Sequence, residues 1–190
     1  MNRVIEKDEL VRIAAGLFRQ KGYAGTSIDD IARGCGLTKG SLYHHFSGKE
    51  ELALAALAQV HAHYRESIFA LIDDVETPRA PDLARFNAAV EAFFAQHPYG
   101  CLLANLSLEM GGAFELFKSP IQRFFDDWTA CYQKVYAQYL DKAAARAQAQ
   151  DALAVVQGCV LMYRIHGSLA PLQRQHALLV KACRSPRRAA

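Results

Sequence analysis

Apolar residues recur along this chain at helical spacing from end to end. Leu10, Ile13, Ala14, Leu17 and Phe18 follow the i, i+3, i+4, i+7, i+8 pattern of one helix face. The pattern stops at Lys21-Gly22, a C-terminal signal. Thr26-x-x-Asp29 then reads as a capping box that opens a second helix with Ile28, Ile31 and Ala32 on its inner face. Gly34 and Gly36 break that helix. Thr38 is the N-cap of a short third helix from about Lys39 to His45, with Leu42 and Phe46 facing inward. Ser47-x-x-Glu50 is another capping box. It opens a long helix with Leu54, Leu57, His61, Tyr64, Ile68, Leu71 and Val75 on one side.

Pro78 and Pro81 end that helix, and further helices are predicted over 81–97, 101–110, 119–141, 144–167 and 171–183. Gly111-Gly112 closes the second of these, and Ser119-Pro120 opens the third. The fourth carries Ala152, Val155, Val156, Cys159, Val160 and Tyr163 as its stripe and stops at Gly167. No segment alternates with period two. The expected fold is all-α, with three short helices followed by six longer ones, about nine in total. The domain organisation read from this is an N-terminal module over 1–49 and a helical body over 50–190. The seam falls inside the fourth helix, near Glu50–Leu57, and the tail SPRRAA is expected to fray.

Composition narrows the class. The chain has 190 residues, 52% hydrophobic and 22% charged, ordinary for a globular protein. The longest nearly apolar run, 152–162, is too short to span a bilayer and contains Gln157, and the charged N-terminus lacks a signal core. A soluble cytoplasmic protein without membrane association is expected. The five cysteines, at positions 35, 101, 131, 159 and 183, form no CxxC pair, which argues for reduced thiols and against a zinc site. Cys35 reads as a small core residue. Net charge is only +3, but residues 1–49 carry eight Lys/Arg against five Asp/Glu, and the last ten carry four Lys/Arg and no acid. A basic N-terminal module on an acidic body suits a polyanionic partner.

The stretch GCGLTKGSLYHHF, 34–46, concentrates the candidate chemistry. It is not a nucleotide P-loop, because Lys39 and Gly40 stand in the wrong order and a helix, not a strand, precedes them. The dinucleotide pattern fails as well, with one residue too many before Gly40. Two short helices joined by a glycine turn make a helix-turn-helix whose second helix enters the major groove. Lys39, Ser41, Tyr43 and His44 would face the DNA, and Gly40 would let the backbone approach it closely. Thr26, Thr38 and Lys49 stand at helix starts, where hydroxyl, ammonium and backbone N–H groups meet phosphate. On this reading Lys49→Ala weakens binding to every sequence alike, whereas changes at Lys39, Ser41 or His44 alter base preference.

The stretch TSIDDIARGCGLTKGSLYHHFSGKEEL, 26–52, closely resembles the DNA-binding signature of the TetR family of one-component repressors. The match runs through Thr26, Ile31-Ala32, Gly36, Leu37-Thr38, Gly40, Leu42-Tyr43, Phe46, Lys49-Glu50 and Leu52; Cys35 stands where the family commonly has Ala. The resemblance implies a homodimer joined through the last two helices, double-stranded DNA with a palindromic operator as partner, and a ligand-binding body that responds to a small-molecule inducer. No cofactor is implied.

For the ligand, the aromatic richness of the body suits a small apolar or aromatic molecule, with Phe125, Trp128, Tyr132, Met162 and His166 as candidate lining. Cys101 follows Pro98-Tyr99-Gly100 at an expected helix start, where a thiolate is favoured and the thiol becomes reactive. YGCLLANLSLE is also similar to a TetR sub-branch with Gly-Cys-Leu here, some of whose members respond to electrophiles or oxidants. Release by a non-covalent ligand and release by Cys101 modification are both open at this point. An enzyme is disfavoured: GxSxG and HExxH are absent, and His61-x-His63 is spaced so that the rings diverge on a helix.

Overall fold

The computed structural model describes residues 5–109 and 114–183, all of whose regular elements are helical. In chain order these are α1 (Lys7–Lys21), α2 (Ile28–Cys35), α3 (Lys39–Tyr43), α4 (Lys49–Tyr64), α5 (Ala70–Asp73), α6 (Ala80–Gln96), α7 (Leu102–Glu109), α8 (Phe114–Tyr136), α9 (Lys142–His166) and α10 (Ala170–Ala182). A π turn, Arg65–Phe69, joins α4 to α5 without a break. Taken as one helix, that stretch brings the described residues to the nine expected. The predicted glycine stop at 111–112 and the tail 185–190 lie outside the described residues.

By internal packing the chain forms two units: Met1–Ala62 with Cys101–Gln122, and His63–Gly100 with Arg123–Ala190. In the first, α1 packs on α2 and α7, and α2 packs on α3. Its interior is built from Leu10, Val11, Ala14 and Phe18 of α1, Ile31, Ala32 and Cys35 of α2, and Leu42 and Phe46 around α3. In the second, α10 packs on α6 and α9. Tyr64, Phe69, Phe86, Phe124, Trp128, Tyr132 and Tyr136 are fully buried there as an aromatic core. Tyr64 meets the rings of Phe124 and Trp128 at 5.0 and 5.3 Å, and Phe86 meets Tyr132 edge-on at 5.4 Å.

Several local expectations shift by one residue, each for an identifiable reason. The cap of α2 is Ser27, not Thr26: Ser27 Oγ accepts from Asp30 N–H, and Asp30 accepts from Ser27 N–H, both at 3.1 Å. Ser47 likewise donates its N–H and hydroxyl to Glu51, each at 2.7 Å, rather than to Glu50. Gly34 lies within α2, whose end falls at Gly36. Gly36 takes φ +67°, the left-handed cap conformation that favours glycine, while the Leu37 N–H donates back to Ala32 at 2.8 Å.

Farther along, the π turn adds a residue to the helical turn and rotates the residues C-terminal to it about the helix axis. Ile72 is therefore buried where Leu71 was expected. Pro120 sits inside α8 rather than opening it. On α9, Ala152, Val156, Val160 and Tyr163 are buried as predicted, but Val155 is exposed and Cys159 is half-buried. The long apolar run there covers two faces of one helix, and only one of them is the core.

Candidate nucleic-acid interface

The surface of interest is built by α2, α3 and the turns around them. Ser27 and Asp30 fix the start of α2, and the two Ser27 hydrogen bonds, with Lys21 adding to them, hold the Asp30 carboxyl pKa down at about 2. It is ionised at any ordinary pH and keeps the box closed. At the start of α3, Thr38 Oγ1 accepts from the Ser41 N–H at 3.1 Å and lies 2.8 Å from the Ser41 hydroxyl. Leu42 and Phe46, both buried, anchor the helix from below. The opposite side of the chain then has to face outward: Thr38, Lys39, Gly40, Tyr43 and His44 are exposed and Ser41 is half-buried. Tyr43 leaves 48% of its surface in solvent.

α3 is shorter than predicted, ending at Tyr43 rather than His45, with His44 as its C-cap. Lys39 Nζ reaches Asp29 of α2 at 3.1 Å. Both partners are about half exposed or more, so this ion pair is weak and exchangeable for a phosphate or base acceptor. Gly40 is the informative position. It has no positive φ, and an added Cβ would meet only Thr38 Oγ1, at 3.9 Å. Nothing inside the protein requires a glycine here, and helix propensity opposes it.

Two sequence candidates are turned inward instead. The Thr26 side chain is only 1% exposed, and its hydroxyl donates to the Gly22 carbonyl at 2.6 Å. Lys49 is half-buried: Nζ donates to the carbonyls of Tyr23 and Thr26 at 3.0 and 3.1 Å and stands 4.2 Å above the Tyr23 ring. Lys49 does open α4, as expected, but Thr26 stands one residue before the Ser27 cap of α2. Sequence reasoning missed that Thr26-Ser27 followed by Asp29-Asp30 allows a capping box in two registers. The register chosen puts Thr26 in the interior.

The ligand candidates are not brought together. Trp128 and Tyr132 belong to the aromatic core, and Phe125 is half-buried beside Phe124, with ring centres 5.2 Å apart. Met162 and His166 are exposed on α9. A groove of about 790 Å³ in the second unit runs between α6 and α10, lined by Ala84, Asn87, Glu91, His176, Ala177 and Lys181 among others, and by none of the five. At its base His176 Nδ1 lies 2.6 Å from Glu91 Oε1, and Tyr132 donates its hydroxyl to Asn87 Oδ1 at 3.4 Å.

Burial pulls the His176 pKa below 6.5, with Glu91 opposing more weakly. Below 6.5 the unfolded chain therefore takes up a proton at this residue before the folded one does. Its contribution to stability is complete above 6.5 and declines as the pH falls toward the folded pKa. Urea unfolding at about pH 7.5 and about pH 5.5 is expected to show a loss of stability at the lower pH that is smaller in His176→Gln.

Cys101 does stand immediately before α7, but the expected reactive thiolate is not supported. The side chain is 5% exposed, and burial pushes its thiol pKa up, outweighing the lowering effect of the Ala104 and Leu103 N–H groups and of Arg19. Loss of solvent costs the thiolate more than a helix start returns. Iodoacetamide is expected to label Cys101 slowly in the folded protein and fast in urea, as read by peptide mass spectrometry. Rapid labelling of the native chain would contradict this burial.

Residues 10–56 match the family model described as bacterial regulatory proteins, tetR family, and residues 83–177 match the C-terminal domain of LmrA/YxaF-like transcriptional regulators. The chain is 27% identical over 181 residues to the transcriptional repressor DhaR of Mycobacterium sp. strain GP1, covering 92% of this chain and 90% of DhaR. A TetR transcriptional regulator from Chloroflexus aurantiacus J-10-FL superposes with a TM-score of 0.80 at 26% identity, covering 95% and 94% of the two chains. CifR, a TetR family regulator solved with a 26-base-pair operator DNA, shares the fold with a TM-score of 0.79 at 19% identity, over 96% and 99% of the chains. The signature around α2 and α3, the all-helical architecture and the two family matches agree, and the chain belongs to the TetR family of bacterial transcriptional regulators.

Proposed function

We propose that this regulator is a repressor that binds a palindromic operator as a homodimer, with α3 in the major groove, and is released by a small-molecule ligand. The observation that carries the DNA-binding part is the outward face of α3. A glycine with no internal reason to be a glycine stands there beside exposed Lys39, Tyr43 and His44. Such a face provides close backbone approach, phosphate donors and base-edge donors on one short helix. Thr38 and Ser41 complete it. The protein acts where the chromosome is, in the cytoplasm. No described helix is long and apolar enough to cross a membrane.

Dimerisation is supported by a second apolar stripe on α9 and α10. Val155, Leu161, Met162 and Ile165 of α9 and Leu178 of α10 are exposed, and Gly158, between them on α9, has open space around it. Ligand release is favoured in its non-covalent form, because Cys101 is buried as a neutral thiol.

The test is fluorescence anisotropy on a palindromic DNA selected from a random pool, across a range of salt. Specific binding that weakens steeply with salt is the expected result, because phosphate contacts release counterions. Failure to select any sequence, or affinity independent of salt, would overturn the reading.

A further inference from the structure

We infer that Lys49 serves DNA binding as a positioning residue, holding the turn that presents α2 and α3, and not as a phosphate ligand. The inference rests on the DNA-binding reading above and concerns the origin of one residue's effect within it. Lys49 is the first residue of α4, and its side chain points back toward the α1–α2 turn. Two of its three N–H donors go to the Tyr23 and Thr26 carbonyls at 3.0 and 3.1 Å. The ammonium also stands over the Tyr23 ring, at 4.2 Å from its centre. Together these contacts satisfy the cation from the carbonyl side and the π-face side within the protein.

The turn it grips leads directly into the recognition module. Thr26 O belongs to the residue just before the Ser27 cap of α2. The Tyr23 ring is itself fixed, stacked on Phe18 at 5.8 Å and met edge-on by Phe117 at 5.6 Å. From the other side, Glu109 of α7 accepts from the Ala24 N–H at 3.4 Å. Lys49 thus ties the start of α4 to the entrance of α2, and the chain between those two anchor points is α2, the glycine turn and α3. Losing the tie leaves α3's own side chains untouched but requires the DNA to order the module on binding, which lowers affinity.

A positioning lysine and a phosphate lysine differ in one measurable quantity. Each phosphate contact contributes about 0.9 to the magnitude of the slope of log affinity against log salt, so two from a dimer contribute about 1.8. A lysine satisfied inside the protein contributes none. The experiment measures operator affinity by anisotropy between about 50 and 200 mM salt. It uses wild type, Lys49→Met, Tyr23→Leu and the double variant, each checked for folding by circular dichroism.

The expected result is an affinity loss of about tenfold or more in Lys49→Met with the salt slope unchanged, and a similar loss in Tyr23→Leu that does not add to it. A slope shallower by about 1.8 in Lys49→Met would overturn the inference, as would wild-type affinity in that variant. Should Lys49→Met fail to fold, Tyr23→Leu carries the test with the charge intact: reduced affinity at unchanged slope supports positioning, and unchanged affinity overturns it. Absence of DNA binding by the wild type would instead defeat the proposed function itself, so the two failures are distinguishable.

Discussion

Gly40→Val is expected to abolish specific operator binding while the protein still folds. The side chain would point away from the protein, since a Cβ at this position meets only Thr38 Oγ1, at an ordinary 3.9 Å. Helix propensity favours the change: glycine is about 0.8–1 kcal/mol worse than alanine within a helix, and valine falls between the two. Thermal unfolding should thus be unchanged or slightly raised. On the DNA side, a branched side chain at the point of closest backbone approach holds the helix off the groove and disturbs several contacts at once. A loss of at least about a hundredfold is expected, about 2.7 kcal/mol. Gly40→Ala should follow the same trend with a smaller loss and a more stable fold. Stability and affinity moving in opposite directions identify an interface residue. If both fell together, Gly40 would be serving the fold and α3 would not be the close-approach helix.

The second large effect is expected at the apolar stripe of the last two helices. Ile165 is 61% exposed, and Val155, Leu161, Met162 and Leu178 leave comparable fractions in solvent. Burying such a side chain fully stabilises an assembly by roughly 1.5–3 kcal/mol, and a two-fold interface counts each one twice. An aspartate introduced there would place two desolvated charges in a self-complementary contact. Leu161→Asp with Ile165→Asp is therefore expected to yield monomers by light scattering, while circular dichroism remains helical. Operator affinity should fall by about 10²–10⁴, because the second half-site contact ceases to be intramolecular. A doubly substituted protein that remains dimeric would place the interface elsewhere.

Much of this molecule is legible in its sequence. The helical periodicity, the glycine turn at Gly36 and the apolar anchors Leu42 and Phe46 depend on spacing within a few residues, and the structure has each where it was expected. The outward face of α3 comes from the same logic, since a helix with two buried anchors must expose its remaining sides. Choices between equivalent local options were not legible. Thr26 and Ser27 are both good caps with an acid three residues on, and Thr26 is turned into the interior, its hydroxyl donating to the Gly22 and Leu17 carbonyls, which leaves Ser27 as the cap. Regular helical spacing placed Leu71 on the inner stripe, and the π turn puts Ile72 in the core instead.

The side chains assigned functional roles divide along the same line. The sequence alone determined an all-α chain with a helix-turn-helix near its N-terminus and named the exposed residues of α3, because local spacing controls all of these. Only the tertiary structure decided where charge and reactivity are satisfied. Lys49 meets carbonyls 23 and 26 residues back along the chain, Cys101 is enclosed as a neutral thiol, and Trp128 and Tyr132 are fully buried in the aromatic core. Desolvation and hydrogen-bond satisfaction depend on what long-range packing brings alongside a group, and neighbours in sequence do not specify that.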